Sequence, residues 1–160
     1  MFFSNSNIDT AEEFERRRAA AETLAAAEGV QLVCDAYDHG AWLRDVAAGF
    51  EDEPEGGERC ARCFRFNLAR AARFADEAGA DAFTTSLTVS PHKRSASVFA
   101  AGEAAAQGSR AAFLREDFKK RGGFLESTHR AAALGLYRQN YCGCEFSRRP
   151  EPPVCAPGGT

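Results

Sequence analysis

The stretch "DAFTTSLTVSPHKRSASVFAAGEAAAQ", residues 81–107, decides the fold class. Its first ten residues alternate and are rich in β-branched side chains, which predicts a strand over 81–90. Pro91 then begins a polar turn, and the alanine-rich run that follows predicts a helix over 95–107. A strand that leads through a short turn into a helix is typical of α/β proteins.

The same alternation recurs along the rest of the chain. Further helices are predicted over 10–28, 59–77 and 122–134, and further strands over 2–8, 30–34 and 111–117. This order predicts an α/β sandwich with a largely parallel sheet, whose working residues gather where the strands end. With 160 residues, 44% of them hydrophobic, we expect one domain over 1–149 and a disordered tail from 150 onward.

Charge is distributed unevenly along the chain. Residues 1–60 have a net charge of −9, residues 61–114 of +3 and residues 115–149 of +4. A basic half can face phosphates, although a solvated surface is the more usual explanation. No apolar run is long enough for a membrane helix, and the first residues lack the pattern of a signal peptide. We therefore expect a cytoplasmic protein without a membrane partner.

Four of the six cysteines form two close pairs. In an intracellular chain such pairs indicate metal or redox chemistry more than disulfides. Cys60 and Cys63 begin a predicted helix, whose positive end favours thiolates. Cys142 and Cys144 flank a glycine that permits a tight turn. Four such ligands suit either Zn²⁺ or an iron–sulfur cluster.

Other interpretations of the cysteines remain open. The two pairs could act independently, for example as a redox dithiol in "ERCARCF". Their separation of about 80 residues does not match a zinc ribbon. Cys34, at the end of a predicted strand, is expected to be a buried small apolar side chain. Cys155 lies in the tail, where we expect no role.

Aromatic, amide and basic residues near the cysteines suggest contact with RNA. The residues before Cys142 suit stacking on a nucleobase and hydrogen bonding to it; they are Tyr137, Arg138, Gln139 and Tyr141. A basic run suits binding of phosphates and comprises Lys119, Lys120 and Arg121. All seven can equally be ordinary solvated surface residues.

Four segments together resemble a known family. In order they are "EPEGGERCARCFRFNLARAA", "FTTSLTVSPHKRS", "REDFKKRGG" and "LYRQNYCGCEFS". They resemble the QueH-type epoxyqueuosine reductases, over about residues 2–147. The resemblance implies a Rossmann-like fold of the adenine nucleotide α-hydrolase-like (HUP) group, a [4Fe–4S] cluster and a second iron centre. It also implies reduction of epoxyqueuosine in the tRNA anticodon loop to queuosine, the last step of that modification, with an external electron donor.

The resemblance implies roles for particular residues. The family's paired cysteines match Cys60, Cys63, Cys142 and Cys144, which become the expected iron ligands. A tRNA substrate would explain the basic second half of the chain. Removal of an epoxide oxygen needs electrons and protons, and the candidate proton donors are His92, Lys93 and Asp117.

One part of the family pattern is absent from this chain. Family members normally begin with another strand and helix, and that strand ends in an adjacent cysteine pair. Here "MFFSNSNI" resembles the family's second strand. We therefore expect two strands to lack a neighbour and the four cysteines to hold a single centre. Three alternatives remain: part of a working reductase, a catalytically impaired relative, and a zinc-stabilised RNA-binding module.

Overall fold

The computed structural model describes residues 1–148, which form an α/β arrangement with two short parallel sheets. The four strands are β1 (Phe2–Phe3), β2 (Val33–Cys34), β3 (Ala82–Phe83) and β4 (Ala112–Phe113). Strand β1 pairs with β2, and β3 pairs with β4. Parallel neighbours require a crossover, which helix α1 (Ala11–Ala27) provides for the first pair and α4 (Ser95–Ala106) for the second. The predicted α/β class is confirmed at this level.

The remaining helices are α2 (His39–Trp42), which continues into a π-helical turn, α3 (Glu58–Glu77) and α5 (Gly123–Ala133). The four long helices agree with the sequence prediction to within one residue at each end. Gly79, at φ 67°, ends α3 in the left-handed conformation that glycine adopts without strain. None of the helices within residues 1–148 combines the length and the apolar character needed to span a bilayer.

The strands are shorter than predicted, and they are divided between two sheets. The strand expected over 81–90 ends at Phe83, because the Thr85 side chain accepts the N–H of Leu87 and starts a 3-10 turn, Ser86–Val89. The strands expected over 2–8, 30–34 and 111–117 are each two residues long. Within the described chain, β1 and β3 belong to separate sheets. The disordered tail predicted from 150 onward lies outside the described residues.

Helix α3 packs against both sheets. Its Phe74 ring stacks on Phe2 of β1, with ring centroids 4.2 Å apart. In the same part of α3, the buried residues Ala72 and Ala75 pack in a cluster with Phe83 of β3. Burial of these apolar surfaces holds the two sheets on one helix. The amino-terminal turns of α3 are thereby placed beside the ends of the strands.

Helix α4 lies against α3 and reaches unusually close to β4. Val98 and Ala101 form a buried cluster with Leu68 of α3. At Gly102, a Cβ atom would lie 2.3 Å from the Phe113 ring. A larger residue at this position would therefore force the Phe113 ring to move.

Candidate functional site: a cavity with four cysteines

The two cysteine pairs line one cavity of about 480 Å³. Cys60 and Cys63 lie in the first turns of α3, while Cys142 and Cys144 lie on the segment that follows α5. A buried cluster around Trp42 contacts Cys144 and also packs against Cys63. The structure thus brings together four cysteines that are far apart in sequence.

Each of the four sulfurs has a polar neighbour. The contacts are from the Gly56 N–H to Cys60 Sγ at 3.2 Å, Asn67 Nδ2 to Cys63 Sγ at 3.4 Å, Lys93 Nζ to Cys142 Sγ at 3.1 Å, and the Cys144 thiol to Ser147 Oγ at 3.7 Å. Hydrogen bonds to sulfur stabilise thiolates and adjust the reduction potential of a metal bound to them. Three of these contacts donate to sulfur, and in the fourth the Cys144 thiol is the donor.

The pKa values of two thiols are raised. Burial raises the pKa of Cys63 to about 12. The indole N–H of Trp42 faces this sulfur and opposes part of the rise, although it does not reach regular hydrogen-bond geometry. Burial likewise raises the pKa of Cys144, against the effect of Ser147. Both are neutral thiols at pH 7 in the absence of metal, so a metal must displace their protons to bind.

Two partly or fully buried cations share the cavity with the thiols. Burial alone would lower the pKa of Lys93, but the Cys142 sulfur, together with Cys63 and Cys60, outweighs burial and raises it. Arg59, only 3% exposed, lies on the same wall. Among residues 1–148, neither side chain has a carboxylate within 4.0 Å. The cavity, which Glu55 also lines, thus has two cations on its wall without a paired carboxylate among the described residues.

The separation of the thiols bears on which metal group they could hold. Around one Zn²⁺ the thiolates would lie roughly 3.8 Å from each other, given Zn–S bonds of about 2.3 Å in a tetrahedron. In the described part of the chain, no three His, Cys, Asp or Glu side chains converge closely enough to ligate one ion. A [4Fe–4S] cluster takes one cysteine at each iron and so needs thiolates that are further apart. Cys60, Cys63, Cys142 and Cys144 all line the cavity, and they are the residues that would hold a cluster there.

Helix α1 positions the Cys142–Cys144 segment. Arg17 donates from Nη1 to the Cys142 carbonyl at 2.8 Å and forms an ion pair with Glu13 at 2.7 Å. The Tyr137 hydroxyl donates to the other carboxylate oxygen of Glu13 at 2.8 Å. Both charged side chains are nearly buried, with 10% of Arg17 and 8% of Glu13 exposed. The segment is thus attached to α1 by a buried charged network.

The residues predicted to contact a nucleobase lie away from this cavity. The Tyr141 hydroxyl donates to the Asp9 carbonyl at 2.8 Å, and its ring has the Arg17 guanidinium within 5.1 Å. Tyr137 is engaged with α1 as described, whereas Arg138 and Gln139 are exposed. None of these four lines the cavity. The tyrosines hold the cysteine segment in place, and base contact stays a prediction.

The predicted basic and proton-donating residues are divided by the structure. His92 and Lys93 line the cavity, and His92 is exposed. Lys119 donates to the Lys93 carbonyl at 2.9 Å and to Ser95 Oγ at 2.6 Å, so it supports the turn that carries Lys93. Asp117 lies outside the cavity, 3.5 Å from the Lys119 ammonium. The other two residues of the predicted phosphate-binding run, Lys120 and Arg121, are exposed on the surface.

Among the cavity residues that the sequence did not predict are a tryptophan and an arginine, and one cysteine was misplaced. Trp42 and Arg59 line the cavity. Arg59 precedes Cys60 directly, which is the one signal available, since nothing else distinguishes it from the other arginines. The prediction that Cys34 is buried is wrong: it is exposed, because side chains alternate along β2 and position 34 faces solvent. Cys155 lies outside the described residues.

Fold and site together define an α/β protein in which two cysteine pairs share one cavity with buried cations. The model of the family "Epoxyqueuosine reductase QueH" matches residues 1–150. This chain belongs to that family.

Relatives that carry the name of this family match most of the chain. The epoxyqueuosine reductase QueH of Streptococcus pyogenes is 34% identical over 155 residues, which are 93% of this chain and 60% of that protein. The Thermotoga maritima protein is 34% identical over 149 residues, 91% of this chain and 77% of the relative. The Dehalococcoides mccartyi protein is 31% identical over 148 residues, again 77% of its length. The chain thus spans about three fifths to three quarters of these relatives.

Proposed function

We propose that this protein reduces epoxyqueuosine in tRNA to queuosine, the last step of that modification, using a [4Fe–4S] cluster held by its four cavity cysteines. The observation that carries the proposal is the cavity itself, where Cys60, Cys63, Cys142 and Cys144 lie beside two cations. The relatives named above are reductases by name, and we extend that activity to this chain.

The reaction assigns the protein a proton-transfer task. Removing the epoxide oxygen breaks two C–O bonds, forms a C=C bond and consumes two electrons and two protons, and the oxygen leaves as water. When bound, the cluster supplies electrons singly, and an external donor must replace them. We assign proton donation to Lys93, which lines the cavity and whose ammonium donates to Cys142 Sγ at 3.1 Å. His92, exposed on the same wall, is suited to return a proton from solvent.

Asp117 and Lys119 support that task indirectly. Asp117 lies 3.5 Å from the Lys119 ammonium, and Lys119 donates to the carbonyl of Lys93. We therefore assign both as positioning residues for the turn that carries the proton donor. Neither contacts the cavity, so neither is assigned a direct role in catalysis.

The proposed substrate is a tRNA whose modified base enters the cavity. The exposed Lys120 and Arg121 are suited to backbone phosphates, and the exposed Arg138 and Gln139 to groups near the modified base. Phosphate contacts make affinity depend on salt. We expect tRNA binding to weaken steeply between 50 and 200 mM salt, as counterion release requires.

The fold is proposed to be Rossmann-like, of the adenine nucleotide α-hydrolase-like group. Two parallel strand pairs with helical crossovers, both packed on α3, support this assignment. An experimental structure in which β1 and β3 run in opposite directions would contradict it.

Metal analysis tests the proposed centre. The protein is expressed and purified anaerobically, reconstituted with iron and sulfide, and assayed for iron, sulfide and zinc. We expect about four irons and four sulfides per chain, with additional iron if the proposed second iron centre is present. Replacing Cys142 and Cys144 by serine should abolish the cluster absorbance, while the exposed Cys34→Ser control retains it. Zinc without iron after this treatment would favour the zinc-stabilised RNA-binding module.

Activity is tested on tRNA that contains epoxyqueuosine. The reconstituted protein is incubated with this tRNA and a chemical reductant, and the digested nucleosides are analysed by mass spectrometry. We expect queuosine to form, Lys93→Met to lower its rate and Lys93→Arg to restore little, because arginine is a poor proton donor. A protein with a full cluster and no queuosine product would refute the proposed activity.

A further inference from the structure

Arg59 is buried beside the cysteines in an unusual environment. It lies in the first turn of α3, next to Cys60, and is only 3% exposed. Its Nη1 donates to the carbonyls of Phe50 and Glu51, at 2.7 and 2.9 Å. Its guanidinium carbon lies 4.4 Å from the centre of the Phe146 ring. These contacts fix the guanidinium on the cavity wall.

Among residues 1–148, no carboxylate lies within 4.0 Å of Arg59, although its charge contributes, after two backbone hydrogen bonds, to the lowered pKa of the exposed Glu51 carboxylate. The only hydrogen-bond acceptors of Arg59 in this range are neutral carbonyls, and its Nε is buried without an acceptor. Burying an arginine without an anion is costly, since water no longer solvates the charge. Arginine cannot relieve this cost by losing its proton. The burial of Arg59 therefore favours an anion beside it, and the cavity that Arg59 lines with the four cysteines and Glu55 has room for one.

We propose that Arg59 is the counter-ion of the group that the four cysteines hold, and that its charge makes this group easier to reduce. The inference rests on the proposed function. A cluster with four thiolates is anionic and gains one more negative charge on reduction. A fixed cation stabilises the reduced form more than the oxidised form, so it raises the reduction potential. Lys93 is less suited to this role, because a proton donor loses its charge when it acts.

A purely structural role is the competing explanation. Arg59 could serve only to hold the Phe50–Glu51 turn beside α3. The chain offers a matched control in Arg62, on the same helix. Arg62 also donates to a carbonyl, that of Asp45 at 2.8 Å, and has a buried Nε without a partner among the described residues. Arg62 lines a different pocket, and none of the four cavity cysteines lines that pocket.

The test compares reduction potentials of reconstituted variants. Wild-type protein and the variants Arg59→Gln, Arg59→Lys and Arg62→Gln are reconstituted anaerobically and titrated with reductant while the cluster absorbance is followed. We expect Arg59→Gln to disfavour reduction at least tenfold, a fall of about 59 mV for one electron. Arg59→Lys should retain most of the wild-type potential, and Arg62→Gln should leave it unchanged.

The possible outcomes separate the two explanations. An Arg59→Gln protein with a full cluster and the wild-type potential would overturn the inference. If Arg59→Gln folds, as judged by circular dichroism, but loses the cluster, retention by Arg59→Lys supports a requirement for charge. Loss by Arg59→Lys as well would overturn it. A wild-type protein that takes up no iron and sulfide would refute the proposed function first, and this inference with it.

Discussion

Replacing Arg17 by methionine should destabilise the protein, because it leaves the Glu13 charge buried. The two side chains are 10% and 8% exposed, so solvent compensates little. Breaking a buried ion pair by removing one partner costs about 3–5 kcal/mol. The hydroxyl of Tyr137 still donates to Glu13, which places the expected loss at the lower end, about 3 kcal/mol. The Cys142 carbonyl also loses its donor.

Urea unfolding followed by circular dichroism measures this loss in matched anaerobic preparations. A thermal melt gives a second measure of the same loss. For a chain of this size, each kcal/mol of unfolding free energy corresponds to about 2–4 °C in melting temperature, so we expect the melting temperature to fall by roughly 6–12 °C. The double variant Glu13→Gln with Arg17→Met should recover about 1–2 kcal/mol, since it leaves no buried unpaired charge. A double-mutant cycle then isolates the coupling energy between the two positions.

The neighbouring Arg18 provides the control. It pairs with Glu15 and Glu22 on the exposed face of α1, and Arg18→Met should cost under about 1 kcal/mol. The reasoning is refuted if Arg17→Met costs no more than Arg18→Met. It is also refuted if the effects at positions 13 and 17 are simply additive.

Three further predictions concern the fold and the cavity. Burial raises the pKa of Asp35, but hydrogen bonds from Arg70 and a serine outweigh burial and lower the pKa overall. Asp35→Asn should therefore lower the free energy of unfolding by about 1 kcal/mol at pH 7, as measured by urea unfolding. This difference between the variant and the wild type should disappear as the pH falls through the lowered pKa. Gly102→Ala should cost about 1–3 kcal/mol in the same assay, because its Cβ would collide with Phe113. Trp42, the single tryptophan, is 1% exposed and lines the cavity, so its fluorescence should be quenched when iron and sulfide are reconstituted.

Each of these has a contrary outcome. A cost of Asp35→Asn that stays constant from pH 7 to the acid limit would mean that the carboxylate charge contributes nothing to folding. Full stability of the alanine variant at position 102 would mean that α4 and β4 are further apart than described. Unchanged tryptophan emission in a protein with full iron and sulfide content would place the cluster away from the cavity.

Helices were predictable because their signals are local. The run from 58 to 77 carries apolar residues at helical spacing and is followed by Gly79, and α3 has nearly the predicted bounds. Strand lengths were not predictable in the same way. The β-branched run after Phe83 also permits the Thr85 side chain to bond to its own backbone, and that local bond replaces strand pairing. Neither the alternation of side chains nor the β-propensity of the residues distinguishes strand pairing from this local turn.

By itself, the sequence determined the α/β class, the long helices and the two cysteine pairs, because these depend on periodicity and spacing within short segments. Only the tertiary structure decided what surrounds the pairs. Arg59 and Trp42 reach the cavity, and the hydroxyls of Tyr137 and Tyr141 donate to Glu13 and Asp9. The physical reason is that burial, counter-ions and hydrogen-bond partners come from segments distant in the chain, and their effects on charge exist only once those segments meet.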